Sequence, residues 1–168
     1  MNTYEIRKAT EQEAPIIIAL LKEVAAWLQK NDINQWGFLL EGGEDVEISQ
    51  AVGNRDTYVA CQDNEIIATF SLYSKQSEWD QHVWGQEENS EVLYLHRLAV
   101  RPDYMKKGIG RDIFSWIDEN IYTPSYVRTM KRMVFHSSER RRMGIVNFRN
   151  PLERKQRNQP QANFFFLL

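Results

Sequence analysis

The period of the apolar positions changes several times along the chain, and each change marks an element. Residues 3–8 alternate apolar and polar side chains, as a half-buried strand does. Thr10 followed three residues later by Glu13 is a capping box, a pair that satisfies orphan amide donors at a helix start. Ile17, Leu20, Leu21, Val24, Trp27 and Leu28 then recur at steps of three and four, which predicts an amphipathic helix over 11–29. The stretch KNDINQWG breaks it. GEDVEISQAV predicts a second helix that stops at Gly53 and Asn54. Two strands, 56–62 and 65–73, follow and are joined by Asp63–Asn64, a hairpin-type turn. Residues 74–90 read as a polar loop carrying Trp79 and Trp84. VLYLHRLAV, 92–100, is apolar on both faces and is predicted to be a central strand. GIGRDIFSWIDENIY, 108–122, predicts a helix with Ile109, Ile113, Trp116 and Ile117 turned inward, and SYVRTM is a candidate strand.

The order β-α-α-β-β-β-α-β joins hairpins to one strand–helix crossover. It predicts an α/β (α+β layered) protein with one mixed, largely antiparallel sheet flanked by helices. No internal repeat or linker divides residues 1–168, so a single domain is expected. From Thr129 the periodicity fades. The tail 129–168 is rich in Arg and Asn, with basic ERRR and ERKQR blocks, and its FFFLL end reads as a last strand or as an apolar surface for a homodimer. Divergence of the tail, or a shift of reading frame after Arg128, would each produce this change.

Composition narrows the partners. Net charge is −2, from 21 basic and 23 acidic residues, which gives no electrostatic ground for nucleic-acid binding. Cys61 is the single cysteine, so an internal disulfide and a cysteine metal cluster are both excluded, in keeping with a reducing cytoplasm. The N-terminus lacks the pattern of a signal peptide, and no apolar run approaches the roughly 20 residues of a membrane span. A soluble cytoplasmic protein without a metal is expected.

The chemistry concentrates in RPDYMKKGIGRDIF, 101–114, where a strand hands over to a helix. First-turn amides lack intrahelical partners and carry partial positive charge. Gly108 and Gly110 let an anion approach the backbone, and Lys106, Lys107 and Arg111 add charge. Together they predict a phosphate or pyrophosphate cradle. G-x-x-x-x-G-K-[ST] is absent, and Ile113 stands where the dinucleotide fingerprint needs its third glycine.

LHRLAVRPDYMKKGIGRDIFSWI resembles the core motif of the GNAT superfamily of N-acetyltransferases: a strand, V-x-P, Q/R-x-x-G-x-G/A, then a helix. Leu98, Val100, Pro102, Gly108, Gly110 and Ile113 stand in register with it. The element order agrees from residue 3 to about 128. WLQKNDINQW with the later YLHRLAV is similar to a bacterial subgroup of uncharacterised members. The resemblance implies an acyl-CoA N-acyltransferase fold with acetyl-CoA or coenzyme A as cofactor. Its pyrophosphate would lie on the loop Met105, Lys106, Lys107, Gly108, Ile109, Gly110 and Arg111. Its pantetheine arm would lie along Leu98, Ala99 and Val100, like an added strand. The Q/R position holds Met105, a departure expected to weaken cofactor binding rather than abolish it.

Acetyl transfer to an amine needs a neutral amine, a polarised carbonyl and a proton for the leaving thiolate. By the resemblance, an amide near Leu98–Val100 holds the carbonyl. His96 is the candidate general base by its chemistry; the other reading is a sheet histidine with a satisfied hydrogen bond. Tyr94 shares its face and either orients a water or packs. Trp36, Trp79, Trp84 and Glu91 are candidates for the acceptor site, with core packing or solvation as their plain alternatives. Asp80, Glu87 and Glu88 either attract an amine or are solvated. The family's leaving-group tyrosine is missing: with Gly144 as the matching glycine its position holds Arg140, the next aromatic is replaced by Ile145, and Tyr122 and Tyr126 come too early. An N-acetyltransferase acting on a small-molecule or peptide amine by direct attack is thus expected, with no nucleic-acid or membrane partner. Cys61, in a strand remote from the motif, gives little support to a covalent acetyl-cysteine route. An acyl-CoA-binding module with little turnover, and a phosphate-binding domain unrelated to coenzyme A, are the other readings.

Overall fold

The computed structural model describes residues 4–33, 35–86 and 93–121, together with the backbone of 145–147 and 165–167. Strand β1 (Glu5–Lys8) opens the chain, and a 3-10 turn, Glu11–Glu13, leads into α1 (Ala14–Lys30). Helices α2 (Gly37–Leu40) and α3 (Asp45–Gly53) precede the hairpin β2 (Thr57–Gln62) and β3 (Glu65–Tyr73). Then come α4 (Glu78–Trp84), β4 (Tyr94–Val100), a 3-10 turn at Pro102–Tyr104, and α5 (Ile109–Asn120). Strands β5 (Ile145–Asn147) and β6 (Phe165–Leu167) pair antiparallel in a separate two-stranded sheet. No helix among the described residues is long and apolar enough to cross a membrane.

The main sheet runs β1-β2-β3-β4. All three of its ladders are antiparallel, so the parallel pairing expected of a mixed sheet does not occur among the described residues. Among the described residues β4 stands last in this sheet; its apolar sequence predicted a central strand. Burial on both faces comes instead from helices above and below. On one side Ile17, Leu20, Leu21, Val24 and Leu28 of α1 pack with Leu39, Ile48, Val52, Val59 and Ala99. On the other, Ile109, Ile113 and Ile117 of α5 pack with Phe70, Leu72, Leu98 and Val100. Trp116 reaches the same layer edge-on to Phe70.

Local chemistry explains the joints. Asp63 and Asn64 both take positive φ, 50° and 65°, the conformation that a tight two-residue hairpin turn requires. The Glu13 carboxylate accepts the Thr10 amide at 2.7 Å and receives both Arg7 guanidinium nitrogens, at 3.0 and 2.6 Å. These bonds fasten the start of the first helix to β1. The predicted helix 11–29 is therefore a 3-10 turn followed by α1. Burial opposes ionisation of Glu13, but the bonds from Arg7 and Thr10 win, and its pKa falls to about 2. A carboxyl depressed on folding stabilises the protein above its unfolded pKa, and that contribution disappears as pH falls through the folded value. Glu13→Gln is thus expected to lower the melting temperature at neutral pH. The gap from wild type narrows below about pH 4.5 and closes near pH 2, as thermal scans across that range would read.

Two elements were absent from the expected order. α2 follows Trp36, whose φ of 60° turns the chain sharply after the break at KNDINQWG. α4 lies within the predicted polar loop. Ser77 is its N-cap, and the Ser77 hydroxyl accepts the Asp80 amide at 3.1 Å while the Asp80 carboxylate accepts the Ser77 amide at 2.8 Å. The candidate strand SYVRTM lies outside the described residues, as does the tail apart from the short backbone pair.

Candidate active site

Two irregularities at the C-terminal end of β4 shape the site. The first is in the ladder with β3. Thr69 pairs with Ala99 and Ser71 with His96, so Phe70 faces two residues, Arg97 and Leu98. This is a β-bulge, and Arg97 absorbs it with φ of 50°. The second is the turn into α5, where Lys106 and Gly108 have φ of 62° and 82°. The Met105 amide donates to Pro102 at 3.2 Å, and the Asp112 amide donates to Gly108 at 3.0 Å. Between them, the amides of 106–111 make no backbone bond to a described residue outside α5. Those at the helix start are the donors that an α-helix leaves unpartnered.

The loop is anchored at its entry. The Arg101 guanidinium donates to the Ile66 carbonyl at 2.7 Å and to Glu23 of α1 at 2.8 Å. Met105 packs against the α1-side core, so the residue that departs from the family pattern serves as a wedge under the loop. Lys107 lies over the Tyr104 ring, 4.6 Å from its centroid. Lys106, Lys107 and Arg111 are exposed, and Ile109 and Gly110 are buried. The side chains of Leu98, Ala99 and Val100 are buried too, so only their backbone can meet a ligand. Among the described residues the β4 edge away from β3 carries no ladder.

His96 and Tyr94 pair with Ser71 and Tyr73 of β3, which sets them on the face of the sheet that Val59 and α1 share. The His96 ring meets that of Tyr73 edge-on at 5.0 Å. Its Nε2 lies 3.0 Å from each carboxylate oxygen of Asp80. Tyr73 is held in turn: its hydroxyl accepts from Arg97 at 2.7 Å, and Arg97 donates to Glu44, also at 2.7 Å. Burial alone would lower the Arg97 pKa, but Tyr73 and Glu44 raise it, so the guanidinium stays charged. Burial likewise pushes the Asp80 carboxyl up. The bonds from His96 and Ser77 outweigh it and hold the group below the usual aspartate range, as an ion.

Sequence reading thus singled out His96 and Tyr94 but not the carboxylate that holds His96. Asp80 was expected in a loop, attracting an amine or solvated; it is 2% exposed and faces the imidazole. The legible signal was the capping box of Ser77 and Asp80, which starts a helix three residues before the aspartate. Trp36 is partly buried against the α1-side core beside Ile33 and Leu40. Trp79 and Trp84 lie on α4, but their side chains, like Glu91, Glu87, Glu88 and Arg140, fall outside the described residues. Cys61 sits on β2, and burial raises its pKa. No group of residues that could hold a metal occurs among the described residues.

A bulged strand running into a helix through a turn whose amides make no backbone bond to a described residue outside that helix, on a sheet with helices on both faces, defines an acyl-CoA-type acetyltransferase architecture. Comparison with known proteins agrees. Residues 21–119 match the model of the acetyltransferase (GNAT) family, and the chain belongs to that family. Over 120 residues it is 34% identical to the uncharacterized N-acetyltransferase YesJ of Bacillus subtilis (strain 168), covering 71% of this chain and 67% of that protein. Two solved structures share the fold: GNAT-family acetyltransferases from Listeria monocytogenes and Streptococcus agalactiae, each at a TM-score of 0.58. Their identities are 19% over 69% of this chain and 68% of that one, and 20% over 70% of each.

Proposed function

We propose that this protein moves the acetyl group of acetyl-CoA onto a primary amine of a small molecule or peptide, by direct attack in a ternary complex. One observation carries the reading: amides at 106–111 that make no backbone bond to a described residue outside α5 adjoin a bulged β4 whose outer edge carries no ladder to a described strand. Family membership supplies the acetyl donor. The residues suit it, since a turn with positive φ at Gly108 and exposed lysines beside it forms an anion cradle. When bound, acetyl-CoA supplies an activated acyl thioester. Lys106, Lys107, Gly108, Ile109, Gly110 and Arg111 would hold its diphosphate. The backbone of Leu98–Val100 would hold its arm as an added strand.

The bulge directs β4 amides out of the regular ladder, and a preorganised N–H at Leu98–Val100 would stabilise negative charge on a carbonyl oxygen. His96 would take the proton that an ammonium must lose before it can attack. Tyr94, on the same face, would position the water or amine.

Calorimetry with coenzyme A and acetyl-CoA, beside thiol release across a panel of amines, tests this. Binding with amine-dependent thiol release is the expected result. Binding without turnover on any amine would favour an acyl-CoA-binding module. No binding, with ATP or NAD raising the melting temperature instead, would mark an unrelated phosphate site.

A further inference from the structure

We propose that Glu44 and Tyr73 are positioning residues for the acetyl carbonyl: they grip the Arg97 guanidinium, and that grip holds the β4 bulge in the conformation that aims the amides after it at the carbonyl oxygen. This rests on the reading of the Leu98–Val100 backbone as the donor to that oxygen.

Arg97 sits at φ of 50°, a region that a long side chain keeps only where its surroundings over-determine it. The surroundings do so here. Its Nε donates to Glu44 Oε2 at 2.7 Å, its Nη2 lies 2.6 Å from the same oxygen, and its Nη1 donates to the Tyr73 hydroxyl at 2.7 Å. Every guanidinium nitrogen is thus engaged, on a side chain only 17% exposed. Hydrogen bonds between ionised groups are the strong ones, and a dry setting strengthens them further. Strand alternation would send the side chain of residue 97 to the face opposite His96. It reaches instead the Tyr73 hydroxyl, on the residue whose ring meets His96 edge-on.

The other end of the strut is equally specific. Glu44 is the N-cap residue of α3, yet its side chain makes no capping bond. Its carboxylate serves Arg97 rather than the helix start. Helix α3 is itself fixed in the α1-side core through Ile48 and Val52, so the grip runs from a packed layer to the bulge. Without it, Arg97 is free to relax toward ordinary strand dihedrals, and the neighbouring peptide planes turn with it. A donor misplaced by about 1 Å loses much of its hold on a developing oxyanion. Glu44 and Tyr73 act through the backbone and take no part in proton transfer.

Nuclear magnetic resonance on the full chain without ligand tests the first link. A positive φ brings an amide hydrogen close to its own Hα, so Arg97 is expected to give a strong intraresidue cross-peak in wild type and a weaker one in Glu44→Gln and Tyr73→Phe. Infrared spectra of bound acetyl-CoA, 13C-labelled at the carbonyl, test the second. The stretch is expected below that of the free thioester in wild type and nearer to it in both variants. Glu44→Gln is expected to lower kcat about tenfold, with KM for acetyl-CoA within about twofold. Glycine takes positive φ without help, so Arg97→Gly is expected to be at least about fivefold faster than Arg97→Ala. A weak Arg97 cross-peak in wild type overturns the proposal, whether or not any variant folds. So does Arg97→Gly no faster than Arg97→Ala, or a stretch lowered equally in wild type and Glu44→Gln. If wild type binds acetyl-CoA with no lowered stretch, the reading of the β4 donor falls and this proposal with it.

Discussion

Gly108→Glu is expected to weaken coenzyme A binding by about 100-fold while leaving the fold intact. Two effects add. Gly108 sits at φ of 82°, and a side chain there costs about 1–3 kcal/mol unless the turn rearranges. A new Cβ would meet only the tip of Arg111, at 3.0 Å, an exposed side chain that can swing away, so backbone conformation dominates rather than collision. The carboxylate would then stand near the bound diphosphate, adding on the order of 1 kcal/mol or more of repulsion. A total of about 3 kcal/mol corresponds to the stated factor. Gly108→Ala isolates the strain and is expected to show a smaller loss. Gly108→Asn should be mildest, because asparagine tolerates the left-handed region. Calorimetry on the series, with melting temperatures as control, reads the result. Unchanged affinity in Gly108→Glu would remove the loop from the binding site and leave the acetyltransferase reading without its main support.

Phe70→Ala is expected to cost about 3–5 kcal/mol of stability and to lower the melting temperature by roughly 10 °C. Phe70 is 0% exposed. Its ring stacks on Tyr58 at 5.1 Å and meets Trp116 edge-on at 6.3 Å. It therefore joins β2, β3 and α5 in one contact. Truncation removes the ring's burial and leaves a cavity between layers that cannot close independently. Phe70 also lies opposite the bulge at Arg97 and Leu98, so the variant is expected to lose catalytic rate at temperatures where it remains folded. Urea unfolding would give the free energy directly. A loss below about 1 kcal/mol would mean that the α5 layer is not packed as described.

Elements with a strong period were readable in advance, and the site only in part. The α1 stripe from Ile17 to Leu28, the Asp63–Asn64 turn and the α5 run from Ile109 to Ile117 all depend on neighbours a few residues apart, so sequence spacing reveals them. α4 was missed because EWDQHVW is short and mostly polar, and its start signal lies in Ser77 and Asp80 rather than in any apolar stripe. The pairing of Asp80 with His96 was invisible for another reason. It links two elements across a stretch whose path no local rule dictates. Glu44, far earlier in the chain, joins the same network through Arg97 and Tyr73. The glycine turn was legible because φ of 82° has a residue type that announces it. Arg97 adopts a comparable φ with no such marker, so the bulge could not be read from composition.

That single extra residue in β4 governs parity. In an uninterrupted strand Tyr94, His96, Leu98 and Val100 would all point to one side. Here Leu98 and Val100 enter the layer beneath α5, while His96 shares its side with Ser71 and Val59 beneath α1. Deleting Arg97 would merge the two sets and drive the imidazole into the greasy α5 compartment, out of reach of its carboxylate. The strand can therefore serve as a structural wall on one side and a proton-handling surface on the other only because its count is off by one.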